Sequence, residues 1–244
     1  MISRLPKWVW LGGCVLAFIA GSVNVVGLLG LEHHAVSHVT GTASQIGVGI
    51  AQYNISFSLH LALILVSFFV GASISGIVIR TPSLQFGMPY GIALIIESGL
   101  LLIAYFLLNN GSFSGDYFGS MACGLQNGLA TTYSGAVIRT THMTGILTDL
   151  GIIFGNYCRG IALDFKKVKL YASIFVSFIL GSCMGAVAFM RFSYHSMILP
   201  ILLTGIIGVG YMILKTKNVS SLINKDSREF ITRGEDRRKP SNTE

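Results

Sequence analysis

Charge is scarce in this chain. Only 11% of its 244 residues are Asp, Glu, Lys or Arg, against about a quarter in a soluble domain, whose surface must stay in water. Of the 17 basic and 10 acidic residues, 13 lie from Lys215 onward, which leaves 14 for the first 214 positions. So few cannot coat a water-soluble body of that size, and a soluble enzyme is not expected. Ligand-spaced cysteine is missing too: Cys14, Cys123, Cys158 and Cys183 lie inside or at the ends of apolar segments, where small packing residues belong. The glycine-rich stretches 71–76 and 181–185 do not follow a strand in a βαβ unit, so a nucleotide loop is not expected. No nucleophile elbow, zinc-protease signature or ATPase motif occurs. No cofactor is called for.

What the chain has instead is long apolar runs. Residues 8–31, 61–79, 117–138, 170–190 and 197–214 carry no charge, and 84–108 carries only Glu97. A helix needs roughly 20 apolar residues to cross about 30 Å of hydrocarbon. The first run follows Arg4 and Lys7, as a signal peptide would, but it is longer than the usual apolar region and more spans follow. It reads as a retained first helix. The net charge of +7 is no nucleic-acid signal, because the basic residues sit in short loops and the tail, as membrane orientation requires. The lipid bilayer is the expected surrounding.

The chain also repeats itself. Gly21-Ser-Val-Asn24 recurs as Gly124-Leu-Gln-Asn127, 103 positions on, and Ser37-His-Val-Thr-Gly41 recurs as Thr141-His-Met-Thr-Gly145, 104 positions on. Gly47 matches Gly151 at the second offset, and Ser67-Phe-Phe-Val-Gly71 answers Ser177-Phe-Ile-Leu-Gly181 after six inserted residues. Residues 1–110 and 111–214 therefore form two membrane repeats, and 215–244 a polar cytoplasmic tail. Each repeat reads as a span, a polar His-x-Thr-Gly segment, and two more spans.

Segments 38–53 and 142–158 admit two topologies. If both span, the all-α bundle has eight helices and parallel repeats. If both are re-entrant or broken, six full spans remain and the second repeat is inverted, as in many secondary transporters. Either way the N-terminus, the 159–169 loop and the tail are cytoplasmic. The eight-span arrangement leaves Arg80, Arg139 and Arg191 outside and the six-span one only Arg191, so the charge rule favours six.

At 20–27 and 37–41, joined by 124–128 and 141–151, the sequence resembles the YoaK family, bacterial membrane proteins carrying a domain of unknown function. The resemblance runs from about Trp8 to Leu214 and implies a multi-pass protein of the bacterial cytoplasmic membrane. Many members carry an acid where this chain has Asn24, so no mechanism needing a carboxylate there carries over. The family implies no substrate.

Polar groups within the spans mark the candidate site, because burying them in lipid is expensive. Glu97 is expected either to bind a proton or ion or to hold the bundle by an interhelical hydrogen bond. Asp149 aligns with Gln45, so one duplicated position is charged in a single half; surface pairing with Arg139 or Arg159 is the rival reading. In the two His-x-Thr-Gly elements, Gly41 and Gly145 permit a bend or close packing, and Thr40 and Thr144 satisfy backbone groups. A half-helix starting there would aim free N–H groups and a positive dipole end inward, favouring an anionic solute. Neither His38 nor His142 has a carboxylate or thiolate at metal spacing. Asn24 and Asn127, with Gln126, offer donors and acceptors at matched positions. His33 and His34, beside Glu32, belong to an external loop.

The expectation is a secondary transporter or permease for a small solute, rocking two repeats about a midplane site. The alternative is a non-transporting membrane scaffold or sensor using the tail as a docking segment. A homo-oligomer is compatible with either.

Overall fold

The computed structural model describes residues 7–30, 35–79, 88–133 and 139–216, and among these the chain is helical throughout, without strands. The helices are α1 (Lys7–Leu29), α2 (Val39–Ala51), α3 (Ile55–Val78), α4 (Met88–Asn109), α5 (Ser114–Tyr133), α6 (Met143–Cys158), α7 (Phe165–Phe192) and α8 (Ile198–Thr216), with a 3-10 turn at Ser193–Met197 joining the last two. Four stretches are long and apolar enough to cross a membrane: Trp8–Leu29, Ile55–Val78, Pro89–Asn109 and the 49-residue Phe165–Ile213. At 1.5 Å per residue, α2 and α6 reach only about 20 and 24 Å, too short for the hydrocarbon core. The 31–34 loop with its histidines, Arg80 and the tail from 217 lie outside the described residues.

Local chemistry sets the helix ends identically in both repeats. Asn54 caps α3, its Oδ1 accepting from the Phe57 N–H at 3.1 Å, and Asp164 caps α7, its Oδ1 accepting from the Lys166 and Lys167 N–H groups at 3.1 Å each. Each cap satisfies donors that a helix start leaves orphaned. The two caps stand 110 positions apart, as do Gly71 and Gly181, whereas α2 and α6 begin 104 apart. The six inserted residues are thereby located: α6 is three residues longer than α2, and the turn at 159–164 is three longer than the turn at 52–54.

Packing crosses between the repeats. Helix α1 lies along α7 in parallel: Trp10 Nε1 donates to Ser173 Oγ near the starts, Gly21 faces Phe178 midway, and Gly30 meets Tyr194 at the ends. Helix α3 lies along α5 in the same sense, with His60 Nδ1 at 2.8 Å from Tyr117 Oη, Gly71 facing Met121 and Gly128 facing Ser75. A Cβ on Gly21, Gly181, Gly71 or Gly124 would strike a backbone carbonyl of the partner helix. These two matched pairs of glycines are thus the two crossing points, where backbones touch, as small residues allow between helices that have no hydrophobic reason to associate in lipid. Helix α4 runs antiparallel to α8, with Gly91 against Gly208 and Ser98 Oγ donating to the Ile201 carbonyl at 2.8 Å.

The outward faces are apolar. Val66, Phe69, Val70 and Ile77 of α3 are exposed, and so are Val176, Ile179, Leu180 and Val187 of α7, each 110 positions on. Such faces belong in lipid. Helix α5 is more polar, yet Asp116, Ser120, Cys123, Gln126 and Ala130 are buried, so much of its polarity turns inward.

Candidate functional site

The two His-x-Thr-Gly elements open α2 and α6, with His38 and His142 as the N-cap residues. In both, the imidazole folds back over the first turn, so that a Cβ on Gly41 would strike the His38 ring and one on Gly145 the His142 ring. The glycines therefore neither bend the chain nor admit another helix. They leave room for the element's own histidine. Neither ring caps the helix by hydrogen bonding, and both are exposed, as are Thr40, Thr144 and Gln45.

Each element is held partway along the first helix of its repeat. Asn24 Oδ1 on α1 accepts from the Ser37 N–H at 3.1 Å and the Ser37 hydroxyl at 2.7 Å. On α5, Gln126 Oε1 accepts from the Thr140 hydroxyl at 3.3 Å. The second tether is displaced by one residue on both partners relative to the first, because Asn127, not Gln126, is the counterpart of Asn24. From these anchors the short helices run back along the following long helix: Ser58 Oγ donates to the Ile46 carbonyl at 3.3 Å, and Asp149 of α6 lines one cleft with Tyr171 of α7. Sequence reasoning overlooked Ser37, Thr140 and Tyr171. Ser37 was part of the quoted motif, but nothing local marks a hydroxyl as a tether.

The site residues fall into three places. His142, Thr144, Gly145 and Asp149 share one open cleft of about 430 Å³ with Arg139 and Tyr171. His38, Thr40, Gly41 and Gln45 open α2, which packs on α3, whereas α6 packs on α7. Glu97, Gln126 and Asn127 lie inside the bundle: Glu97 and Gln126 are 2% and 1% exposed, and Glu97 Oε2, Gln126 Nε2 and Asn127 Oδ1 have no hydrogen-bond partner among the described residues. A midplane site shared by both repeats requires the two elements to face one another. The cleft contains only the α6 element, and the second cavity, of about 290 Å³, contains neither. The reason is the crossed packing, which seats α2 and α6 on different helix pairs. Asp149, expected to face a cavity or pair with arginine, lines the cleft together with Arg139 and Tyr171.

A family described as protein of unknown function (DUF1275) matches residues 12–210, a span containing every candidate site residue above. No curated protein and no solved structure matches the chain.

Proposed function

The chain belongs to the DUF1275 family of proteins of unknown function, and from that premise we propose that it is a secondary carrier or permease for a small solute. One observation carries the reading. Two short helices begin at matched His-x-Thr-Gly elements, each tethered by an amide side chain to the interior of a long helix. A helix that starts partway through a bundle leaves free N–H groups there, and such half-helices in repeated units are the usual construction of a transport site.

The arrangement we favour has six full spans, α1, α3, α4, α5, α7 and α8, with α2 and α6 as half-helices. The contact directions support it: α1 parallels α7, α3 parallels α5 and α4 opposes α8, so the second repeat runs opposite to the first. Basic residues at the N-terminus, around Lys166 and Lys167 and in the tail then favour a cytoplasmic location for both termini. The cleft at the α6 start, lined by Arg139, His142, Asp149 and the first turn of the helix, suits a small anionic or zwitterionic solute.

The test is uptake into proteoliposomes, screened by solute class, with His142→Ala and Asp149→Asn beside the parent protein. Flux that drops in both variants while folding is retained supports the reading. Well-folded protein that moves no solute class overturns it.

A further inference from the structure

Three layers stack along the interface between α1, α4, α5 and α8. The first is the cavity of about 290 Å³, bounded by the first halves of α1 and α4 and the second halves of α5 and α8. Trp8, Tyr90 and Tyr211 supply its aromatic wall, and Leu94 and Leu129 lie on α4 and α5 within it. Gly12 also lines it, and a Cβ there would meet nothing within 4 Å.

The second layer is polar. Glu97 follows Leu94 by three residues and Gln126 precedes Leu129 by three, so both stand one helical turn further along the faces that line the cavity. The Cys123 thiol lies within electrostatic reach of the Glu97 carboxyl. Thr204 of α8 is also fully buried at this depth, its hydroxyl donating to the Pro200 and Ile201 carbonyls. Glu97 Oε2 and Gln126 Nε2 are buried without partners among the described residues, an expensive state in a low-dielectric interior. The third layer is closed: Ile19, Val23, Leu101, Met197 and Ile201 belong to one continuous buried cluster.

We propose that Glu97 is a proton-binding site loaded from one face of the membrane, through the cavity between α1, α4, α5 and α8. This deepens the carrier reading by naming its coupling ion. A proton is the one cation that a single carboxyl holds unaided, as a covalent O–H. A metal ion requires several donors, and among the described residues no group of three or more His, Cys, Asp or Glu side chains stands together. The titratable groups nearby are Cys123 of α5, with Tyr90 and Tyr211 in the cavity below. On the other elements packed against α4, His60 of α3 is paired with Tyr117 and His195 of the 3-10 turn with Tyr105, beyond the closed layer. Helix α5 has no basic residue, and α8 has only Lys215, near its end. Among the described residues, α4 and α5 thus offer no basic side chain to compete for the carboxylate.

The test is carbodiimide labelling of the purified full chain, read by peptide mass spectrometry. Membrane-soluble dicyclohexylcarbodiimide takes up the carboxyl proton on nitrogen and adds the carboxylate oxygen at carbon, so it reports a protonated acid in an apolar setting. Glu97 is expected to label with this reagent and not with a water-soluble carbodiimide, and to label more slowly as pH is raised. Glu97→Gln should lose the adduct, and Gly12→Leu, which fills the cavity without touching Glu97, should slow it on the order of ten-fold. An unlabelled Glu97 overturns the proposal, as does equal labelling by both reagents, a rate independent of pH, or no effect of Gly12→Leu in folded protein. Labelling as expected in a protein that moves no solute leaves the proton site standing and removes the carrier; flux with an unreactive Glu97 does the reverse.

Discussion

Gly12 and Gly115 hold equivalent positions in the two repeats, 103 residues apart, yet their surroundings differ. A Cβ at Gly12 would enter open space, whereas one at Gly115 would strike Leu108 and the Ala104 carbonyl. The same contrast separates Leu129, which lines the cavity, from its counterpart Val26, which is buried in the closed cluster. Two copies of one unit thus enclose a hollow end and a filled end. Other matched positions diverge in the same way. Asn24 ties its element with two hydrogen bonds and Gln126 with one, while Asp149 and Tyr171, which line the cleft of the second repeat, are replaced in the first by Gln45 and Leu61. The matched positions share a frame and differ in what fills it.

The shared frame should break hardest. Gly21→Leu or Gly71→Leu drives a side chain into a partner backbone at one crossing or its counterpart, and each should cost roughly 1–3 kcal/mol or more. Loss of monodisperse protein in detergent size exclusion checks this, with Gly47→Ala and Gly151→Ala as tolerated controls because no atom lies near either Cβ. If one crossing tolerates Leu and the other does not, the equivalence fails.

The tethers come next. Asn24→Ala orphans a buried N–H and a hydroxyl and should destabilise by about 1–3 kcal/mol, whereas Gln126→Ala removes one longer bond, worth about 0.5–1.5 kcal/mol. Thermal unfolding in detergent ranks them, and the reverse order would show that the Gln126–Thr140 contact matters more than its length implies. Gly12→Ala and Gly115→Ala should then differ in sign. The first gains roughly 0.5–1 kcal/mol, because alanine is the better helix residue and nothing obstructs it; the second loses stability against Leu108. Smallest of all, Gly41→Ala and Gly145→Ala should each push a histidine ring off its helix with little stability change, seen as faster acylation of His38 or His142 by diethylpyrocarbonate.

Much of this was legible in the residues. Long uncharged runs announced the helices, since lipid permits little else, and the repeat offsets identified which glycines and which polar segments correspond. Helix bounds shifted by a few residues, as at α3, which begins at Ile55 because Asn54 caps it, six residues before the uncharged run chosen from hydropathy. The site was less legible. Asn24, His38 and Gly41 were recognised as polar or small, but sequence could not show that Asn24 holds Ser37 or that Gly41 makes room for an imidazole. Tyr171 went unnoticed because one tyrosine near the start of an apolar run reads as an interfacial anchor.

By itself the sequence determined the helical class, the long apolar runs, the matched glycine and polar positions and the identity of the polar groups found buried, because each follows from composition and spacing along one chain. Only the tertiary structure decided that first and third helices pair across the repeats, that α2 and α6 therefore sit apart, and that one end of the interface is hollow beneath Glu97. Those depend on which surfaces meet, and in a bilayer that choice rests on backbone contact at a few glycines, which no hydropathy pattern records.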